Sequence, residues 1–288
     1  MKILVTGANG QVGRELVEQC LEQGYGVVVA NRNQLDISNE QSVAEFCHYH
    51  QPHAIINAAA YTAVDLAESE TERAFAVNAL GAKYLAQTAL TLNIPMLHFS
   101  TDYVFDGTKN SPYCEQDGPN PINAYGSTKL QGEIYLKQSG ANYLVLRTSW
   151  VFSQHGNNFV KTMVRLASER DKLRVIDDQL GCPTSAADLA KAALTVLPVL
   201  IDKKTMATTY HYAGNPAVSW FDFASAIIDI AHSKKILDRK PTLEPIKSSQ
   251  YPVTAIRPKN SRLSSVRFSS EFGLAESDWQ SQLEQIIT

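Results

Sequence analysis

The stretch Lys2-Ile3-Leu4-Val5-Thr6-Gly7-Ala8-Asn9-Gly10-Gln11-Val12-Gly13 decides the fold of this chain. Its first five residues are a short apolar run, as expected for a buried parallel strand. The glycines follow at once, and residues 14–23 then have the pattern of a helix. In such a unit Gly7 permits the turn, Gly10 allows a pyrophosphate to approach, and Gly13 lets the helix lie against the strand. The alternative is an ordinary glycine turn, but strand and helix both lie where a dinucleotide-binding unit requires them.

The first half of the chain continues with alternating strands and helices. Strands are predicted at 26–30, 54–57, 95–99 and 143–147, and helices at 39–50 and 72–92. This order is typical of the α/β class, here a Rossmann-type doubly wound parallel sheet with helices on both faces. Ligands bind at the carboxyl ends of such strands. We therefore expect residues 7–13, 58–62 and 100–103, which all follow strands, to line one crevice.

The pattern loosens after Trp150. Helices are predicted at 157–168, 185–200, 219–232 and 278–287, strands at 173–177 and 210–213, and loop with short extended pieces at 234–260. We predict a dinucleotide-binding domain over residues 1–150, with residues 185–213 returning to it. Residues 151–184 and 214–288 are predicted to form a smaller C-terminal substrate-binding lobe.

The composition argues against several classes of protein. The 288 residues carry a net charge of −3, so the chain lacks the basic field that nucleic acid or an anionic membrane attracts. No apolar run approaches the roughly 18 residues of a membrane-spanning helix, and the N-terminus leads directly into a strand, without a signal peptide. The four cysteines are far apart and lack the spacing of a zinc site. We expect a reduced, cytoplasmic protein.

A second motif, Tyr125-Gly126-Ser127-Thr128-Lys129, lies in a predicted helix over residues 124–136. Side chains four residues apart share one face of a helix. A lysine ammonium near a phenol favours the phenolate and lowers a pKa that is about 10 in water. Such a tyrosine can donate a proton to an alkoxide near neutral pH. The spacing alone is a weak signal, and the motifs around it give it weight.

Together these motifs resemble the extended short-chain dehydrogenase/reductase family and, within it, the dTDP-4-dehydrorhamnose reductase family. The most discriminating blocks are Ser100-Thr101-Asp102-Tyr103-Val104-Phe105 and Arg147-Thr148-Ser149-Trp150. Further matching blocks follow the family order over almost the whole chain, at 7–13, 35–37, 57–65, 125–129, 156–159, 178–184 and 257–263. The resemblance implies reduction of the C4 keto group of dTDP-4-dehydro-β-L-rhamnose to dTDP-L-rhamnose, the last step of dTDP-rhamnose synthesis.

The resemblance also implies roles for individual residues. Tyr125 would protonate the C4 oxygen of the sugar, and Lys129 would lower the pKa of Tyr125 and hold the nicotinamide ribose. Thr101 would hydrogen-bond the same oxygen, with Ser100 as the alternative. Asn78 would support the catalytic helix. The alternative is that Asn78 only bends the helix in which it lies itself. The residues implied in substrate binding are Thr101, Asp102, Tyr103, Trp150 and Asn158.

The sequence partly predicts which cofactor the chain binds. The resemblance and the glycine loop imply cofactor contacts from Gly7, Asn9, Gly10, Gln11, Val12, Gly13, Asn31, Arg32, Asp36, Ile37, Ala58, Ala59, Ala60, Tyr61, Thr62, Phe99, Tyr125 and Lys129. An NAD enzyme of this fold usually has a carboxylate at the end of the second strand, where this chain has Asn31-Arg32-Asn33. Since Arg32 could accept a 2′-phosphate, we predict NADPH, with NADH as the alternative.

The sequence says less about metal binding and about the oligomeric state. Some family members bridge two subunits with magnesium held by glutamates. Glu15 stands at one plausible position for such a ligand, and Asp188 lies one place away from where the second ligand is expected, so a magnesium-bridged dimer is possible but unsupported. A monomer and a homodimer both stay open.

Two other readings of the chain compete with the reductase. A nucleotide-sugar epimerase or 4,6-dehydratase shares the fold, but a dehydratase usually has a glutamate directly after its Thr-Asp pair, where this chain has Tyr103. The third reading is a non-catalytic NADP-binding protein such as the regulatory subunit of methionine adenosyltransferase. The retention of Thr101, Tyr125 and Lys129 argues against a loss of catalysis.

Overall fold

A six-stranded parallel sheet lies at the centre of the molecule, whose computed structural model describes residues 1–202 and 206–288. The sheet has the order β10-β5-β4-β3-β1-β2. Its strands are β1 (Lys2–Thr6), β2 (Gly26–Ala30), β3 (Ala54–Asn57), β4 (Met96–Thr101), β5 (Tyr143–Thr148) and β10 (Ala207–His211). The predicted Rossmann-type parallel sheet is confirmed.

Helices cover both faces of this sheet and fill the second half of the chain. In chain order they are α1 (Gln11–Glu22), α2 (Glu40–His50), α3 (Val64–Ala67), α4 (Thr71–Phe75), α5 (Gly81–Thr91), α6 (Ala124–Ser139), α7 (Phe159–Glu169), α8 (Ala186–Asp202), α9 (Trp220–Ser233), α10 (Val266–Phe272) and α11 (Trp279–Ile286). The single helix predicted over 72–92 is α4 and α5 joined by a π-helical turn, Ala76–Leu80. The short helices α3 and α10 were not predicted. None of the described helices is long and apolar enough to cross a membrane.

The side chains of β1 show why its sequence is apolar throughout. Ile3 and Val5 pack into the core beneath α1 and α8, whereas Leu4 packs on the opposite face beneath α2 and α5. Successive side chains of a strand point to opposite faces, so a strand covered on both sides needs apolar residues at every position. All three side chains are fully buried.

The second half of the chain forms short two-stranded pairs and its own core. The remaining strands are β6 (Val151–Phe152), β7 (Lys172–Ile176), β8 (Leu180–Gly181), β9 (Thr184–Ser185), β11 (Gly214–Asn215), β12 (Val218–Ser219), β13 (Thr242–Ile246) and β14 (Ser277–Asp278). They pair as β6 with β9, β7 with β13, β8 with β12, and β11 with β14. A third apolar core lies among α7, α9 and α11.

The segment 185–213 packs on the first half of the chain. Its helix α8 packs against α1, and β10 pairs in parallel with β5. Residues 203–205 of this predicted segment lie outside the described part of the chain. The division into two domains stays a prediction, and these contacts agree with it.

Candidate active site

The glycine loop turns at the carboxyl end of β1, beside the end of β3. Gly7 has a φ of +65°, and a Cβ atom there would lie 2.5 Å from the Ala59 nitrogen. A Cβ atom at Gly13 would lie 2.2 Å from the Gly7 carbonyl oxygen. The glycines at these two positions therefore allow the turn and the close packing of α1. Gly10 precedes α1, and its N–H donates to the Gly7 carbonyl over 2.9 Å.

A cavity of about 540 Å³ extends from this loop to the middle of the sheet edge. Of the predicted cofactor residues, it is lined by Gly7, Asn9, Gly10, Gln11, Val12, Asn31, Arg32, Asp36, Ile37, Ala58, Ala59, Ala60, Tyr61, Thr62, Phe99, Tyr125 and Lys129. Gly13 alone is not part of the lining, because it is buried beneath the turn. The structure thus brings together residues from four strand ends and from α6.

Outside the predicted cofactor residues, the cavity is also lined by Ser100, which was expected in the crevice, and by residues without a predicted role there, namely Asn33, Leu35, Arg73, Val77, Thr148, Val151 and Leu189. Arg73 is the one of most chemical interest. Its guanidinium pairs with Glu70 over 2.8 Å and lies 5.7 Å from the centre of the Tyr61 ring. No motif contains Arg73, so only the fold could reveal its position.

Helix α6, which carries Tyr125 and Lys129, packs closely against the elements beside it. Asn123 caps its first turn by accepting a hydrogen bond from the Gly126 N–H over 2.8 Å. A Cβ atom at Gly126 would lie 2.1 Å from the Tyr103 carbonyl oxygen. This close contact places the Tyr125 ring 5.8 Å from that of Tyr103, in an edge-to-face arrangement. The Thr101 hydroxyl lies near enough to Tyr125 to lower the pKa of its phenol.

Lys129 has a different environment from the one predicted. Its Nζ donates to the Phe99 carbonyl oxygen over 2.6 Å and lies 3.3 Å from His98 Nε2. Burial lowers the pKa of Lys129 to about 8, against an opposing effect of Glu133. Burial raises the pKa of Tyr125 to about 12, and this effect outweighs the opposing effect of the Thr101 hydroxyl. Lys129 is itself buried and bonded to β4, and its effect on the pKa of Tyr125 stays a prediction.

Thr101 and Asp102 form a buried pair at the end of β4. The Thr101 hydroxyl donates to Asp102 Oδ1 over 2.9 Å and accepts a hydrogen bond from the Tyr103 N–H. Burial raises the pKa of Asp102 to about 7, against the lowering effects of the Ser261 and Thr101 hydroxyls. Within the described chain, Asp102 Oδ2 has no partner at hydrogen-bonding distance.

Ser100 is the alternative to Thr101, and it is already engaged. Its hydroxyl donates to Glu133 Oε1 over 2.5 Å, and Glu133 also receives two hydrogen bonds from Arg147. Ser100 borders the cavity, but its hydroxyl is hydrogen-bonded to the carboxylate of the buried Glu133–Arg147 ion pair. The Thr101 hydroxyl also donates to a carboxylate, that of Asp102, but of the two residues only Thr101 lowers the pKa of Tyr125, and this favours Thr101.

Asn78 links the cavity wall to α6. It lies in the π-helical turn, accepts a hydrogen bond from the Tyr61 N–H over 2.8 Å and donates to Thr128 Oγ1 over 3.1 Å. These hydrogen bonds agree with the support of α6 by Asn78, which stays a prediction, and the helix that carries Asn78 is distorted as well.

Two other predicted substrate residues lie where the second half of the chain meets the sheet. Trp150 has a φ of +46° and stacks on Trp220. Asn158 caps α7 and donates to Gln11 Oε1 over 2.9 Å. Asn158 thus connects α7 with the glycine loop, and its contact with substrate stays a prediction.

Glu15 lies beside Glu18 and His155, with one ligand atom of each within 4.8 Å of the others. The predicted second position, Asp188, accepts a hydrogen bond from the Ser277 hydroxyl over 2.7 Å and does not belong to that cluster. The donor set is therefore not the glutamate pair expected for magnesium, and the magnesium hypothesis gains no support.

The chain matches known proteins over its whole length. The family model described as "RmlD substrate binding domain" matches residues 1–288. The dTDP-4-dehydrorhamnose reductase of Aggregatibacter actinomycetemcomitans is 44% identical over 287 residues, which cover 99% of this chain and 98% of that protein.

Solved structures agree with these sequence matches. The crystal structure of a dTDP-4-dehydrorhamnose reductase from Clostridium acetobutylicum has a TM-score of 0.91 and 38% identity, covering 100% of this chain and 98% of that one. The reductase of Bacillus anthracis, solved in complex with NADP, has a TM-score of 0.90 and 36% identity, covering 99% and 98%.

Proposed function

This chain belongs to the RmlD family, whose relatives are NAD(P)H-dependent dTDP-4-dehydrorhamnose reductases, and we propose that its own residues perform that reduction with NADPH. The reaction converts the C4 keto group of dTDP-4-dehydro-β-L-rhamnose into the hydroxyl of dTDP-L-rhamnose. The observation that carries the residue assignment is the meeting of Tyr125, Lys129 and the glycine loop around one cavity.

The cofactor fits the cavity on two grounds. The loop Gly7–Gly13 presents the N-terminus of α1 to the cavity, where backbone N–H groups and the helix dipole favour a pyrophosphate. Arg32 lies at the end of β2 on the cavity wall and makes no ion pair with the described residues. An unpaired guanidinium there is suited to the 2′-phosphate of NADPH. The NADP complex of the Bacillus anthracis relative supports this choice.

When bound, the reduced nicotinamide supplies a hydride to the carbonyl carbon of the sugar. Tyr125 donates its phenolic proton to the carbonyl oxygen as the hydride arrives. The Thr101 hydroxyl orients the same oxygen and stabilises the charge that develops there. Lys129, one turn along α6, holds the ribose hydroxyls beside the nicotinamide.

The sugar nucleotide binds between the sheet edge and the second half of the chain. Trp150 supplies an apolar ring beside the sugar, and Asp102 accepts hydrogen bonds from its hydroxyls. Tyr103 and Asn158 complete the wall. The cytoplasmic location and the choice between monomer and homodimer stay predictions.

The test is a turnover assay with dTDP-4-dehydrorhamnose generated in situ by the upstream enzymes. Substrate-dependent oxidation of NADPH with dTDP-L-rhamnose as product supports the proposal. If the folded protein binds NADPH but oxidises none, the proposal fails, and the hypothesis of a non-catalytic NADP-binding protein is favoured instead. Turnover of a different keto sugar in preference would point to another nucleotide-sugar reductase.

A further inference from the structure

Buried polar side chains run beneath the cavity from Thr6 through Asn57 and His98 to Lys129. The Thr6 hydroxyl donates to Asn57 Oδ1 over 2.6 Å, and Asn57 Nδ2 lies 2.9 Å from His98 Nδ1. His98 Nε2 lies 3.3 Å from Lys129 Nζ. All four residues are at most 2% exposed. The contacts cross β1, β3 and β4 and end on α6, so they join the core of the sheet to the active site.

The orientation of the Asn57 amide follows from its neighbours. Asn57 Oδ1 accepts hydrogen bonds from the Thr6 hydroxyl and from the Ala59 N–H, the latter over 3.2 Å. A reversed amide would place its NH₂ group against the Ala59 N–H, with two donors facing each other. The Asn57 NH₂ group therefore points to His98, and His98 Nδ1 must accept its hydrogen bond.

The acceptor role of Nδ1 determines the tautomer of His98. A neutral imidazole carries one proton, so Nε2 is the protonated nitrogen. A doubly protonated ring would place an N–H against the Asn57 NH₂ group. Burial and the nearby Lys129 hold the pKa of His98 well below its usual range, in agreement with a neutral ring. The Nε2–H therefore faces Lys129.

The protonation state of the Lys129 amino group depends on that N–H. A neutral amine can donate to the Phe99 carbonyl oxygen and accept from His98 Nε2–H, whereas an ammonium has only donors to offer. Tyr125 lines the same cavity wall as Lys129, and Glu133 on α6 is the other described group whose charge acts on Lys129. Glu133 favours the ammonium, but it is bonded to Arg147 over 2.6 Å.

We propose that His98, oriented by Asn57, is a positioning residue that presents an N–H to Lys129 and thereby stabilises the neutral amine. The consequence for catalysis rests on the proposed function. After Tyr125 has given its proton to the sugar, the Lys129 ammonium returns a proton to the phenolate across the cavity that both residues line, and a proton taken up from solvent later restores the ammonium. His98 favours this transfer because it stabilises the amine that the transfer leaves.

The tautomer can be measured without turnover. In protein labelled with ¹⁵N-histidine, two-bond ¹H–¹⁵N spectra distinguish protonated from unprotonated ring nitrogens. The signals of His98 are identified by their loss in His98→Gln. We expect a protonated Nε2 and a bare Nδ1 from pH 6 to pH 9. A protonated Nδ1 overturns the proposal, whether or not the enzyme reduces the expected sugar.

The effect on Lys129 is tested by Asn57→Asp. Its carboxylate only accepts hydrogen bonds, so the proton of His98 moves to Nδ1 and Nε2 becomes an acceptor that favours the ammonium. The basic limb of the pH profile of kcat should therefore shift to higher pH by about one unit. This shift corresponds to the free energy of about one net hydrogen bond. Thr6→Val is the matched control, since the Ala59 N–H still orients Asn57 and the tautomer should be kept.

A second variant protects the test against misfolding. His98→Phe keeps a ring of similar shape and removes the N–H, so it should move the basic limb in the same direction. A folded Asn57→Asp or His98→Phe protein with the wild-type pH profile overturns the proposal. If no variant and no wild-type protein turns over, the proposed function fails, while the tautomer measurement still decides the orientation of His98.

Discussion

The indole rings of Trp150 and Trp220 lie parallel, with 3.5 Å between their centroids and 7° between their planes. Gly181 also contacts the Trp150 ring, since a Cβ atom at Gly181 would lie 2.3 Å from the indole. Trp150 thus contacts both α9 and β8, at the place where we propose that the sugar binds. Trp220 was not among the predicted site residues, since it lies in a different segment of the sequence.

Trp220→Leu should raise KM for the sugar nucleotide by roughly 3- to 10-fold, because an aromatic pair contributes about 0.5–1.5 kcal/mol. The Kd for NADPH should stay unchanged. Steady-state kinetics and a cofactor titration provide both values. Trp220→Phe retains a ring and serves as the control, so equal effects of the two variants would contradict a stacking role.

Tyr125→Phe should lower kcat by about 10² or more and leave the Kd for NADPH nearly intact, since a general acid acts on the chemical step. Tyr135→Phe, on the same helix but outside the cavity lining, is the matched control. Retention of more than half of the wild-type kcat would remove Tyr125 from the proposed role.

Arg32→Ala should raise KM for NADPH by roughly 10-fold and leave KM for NADH unchanged, because one charge-assisted contact with the 2′-phosphate is lost. Arg73→Ala tests the second arginine of the cavity, which is paired with Glu70. If Arg32→Ala affects both cofactors equally, the guanidinium does not read the 2′-phosphate.

Gly13→Ala should destabilise the protein by about 1–3 kcal/mol, since its Cβ would lie 2.2 Å from the Gly7 carbonyl oxygen. Denaturant unfolding measures the loss. Gly118→Ala is the control, because a Cβ atom there meets nothing within 4 Å. A loss as small as that of Gly118→Ala would show that α1 can shift without cost.

Asp102 should make the stability of the protein depend on pH. Burial raises its folded-state pKa to about 7, whereas the unfolded chain loses the same proton near pH 3.9. The stabilisation by the protonated form is therefore complete below about pH 4 and declines as the pH rises to about 7. Unfolding measured from pH 4 to pH 8 should show this decline in the wild type and lose it in Asp102→Asn. Parallel curves would place the folded-state pKa near its ordinary value.

Sequence patterns were sufficient for the central sheet and for the cavity wall beside it. A strand covered on both faces must be apolar at every position, and the glycines of a tight turn admit few alternatives, so β1 and its loop are legible locally. The cofactor-lining residues were predictable for the same reason, since the carboxyl ends of parallel strands share one edge.

Only the tertiary structure decided the environment of Lys129. Its spacing from Tyr125 predicted a shared helix face, but its amine turns to Phe99 and His98 on a strand that is distant in sequence. The contact of Trp150 with Trp220 likewise joins segments that no local pattern connects. Periodicity and turn chemistry depend on neighbours along the chain, whereas burial, tautomer and pKa depend on groups that folding brings together. The sequence by itself therefore determined the framework and the identities of the reactive groups, and the packing of α6 on β4 decided their protonation.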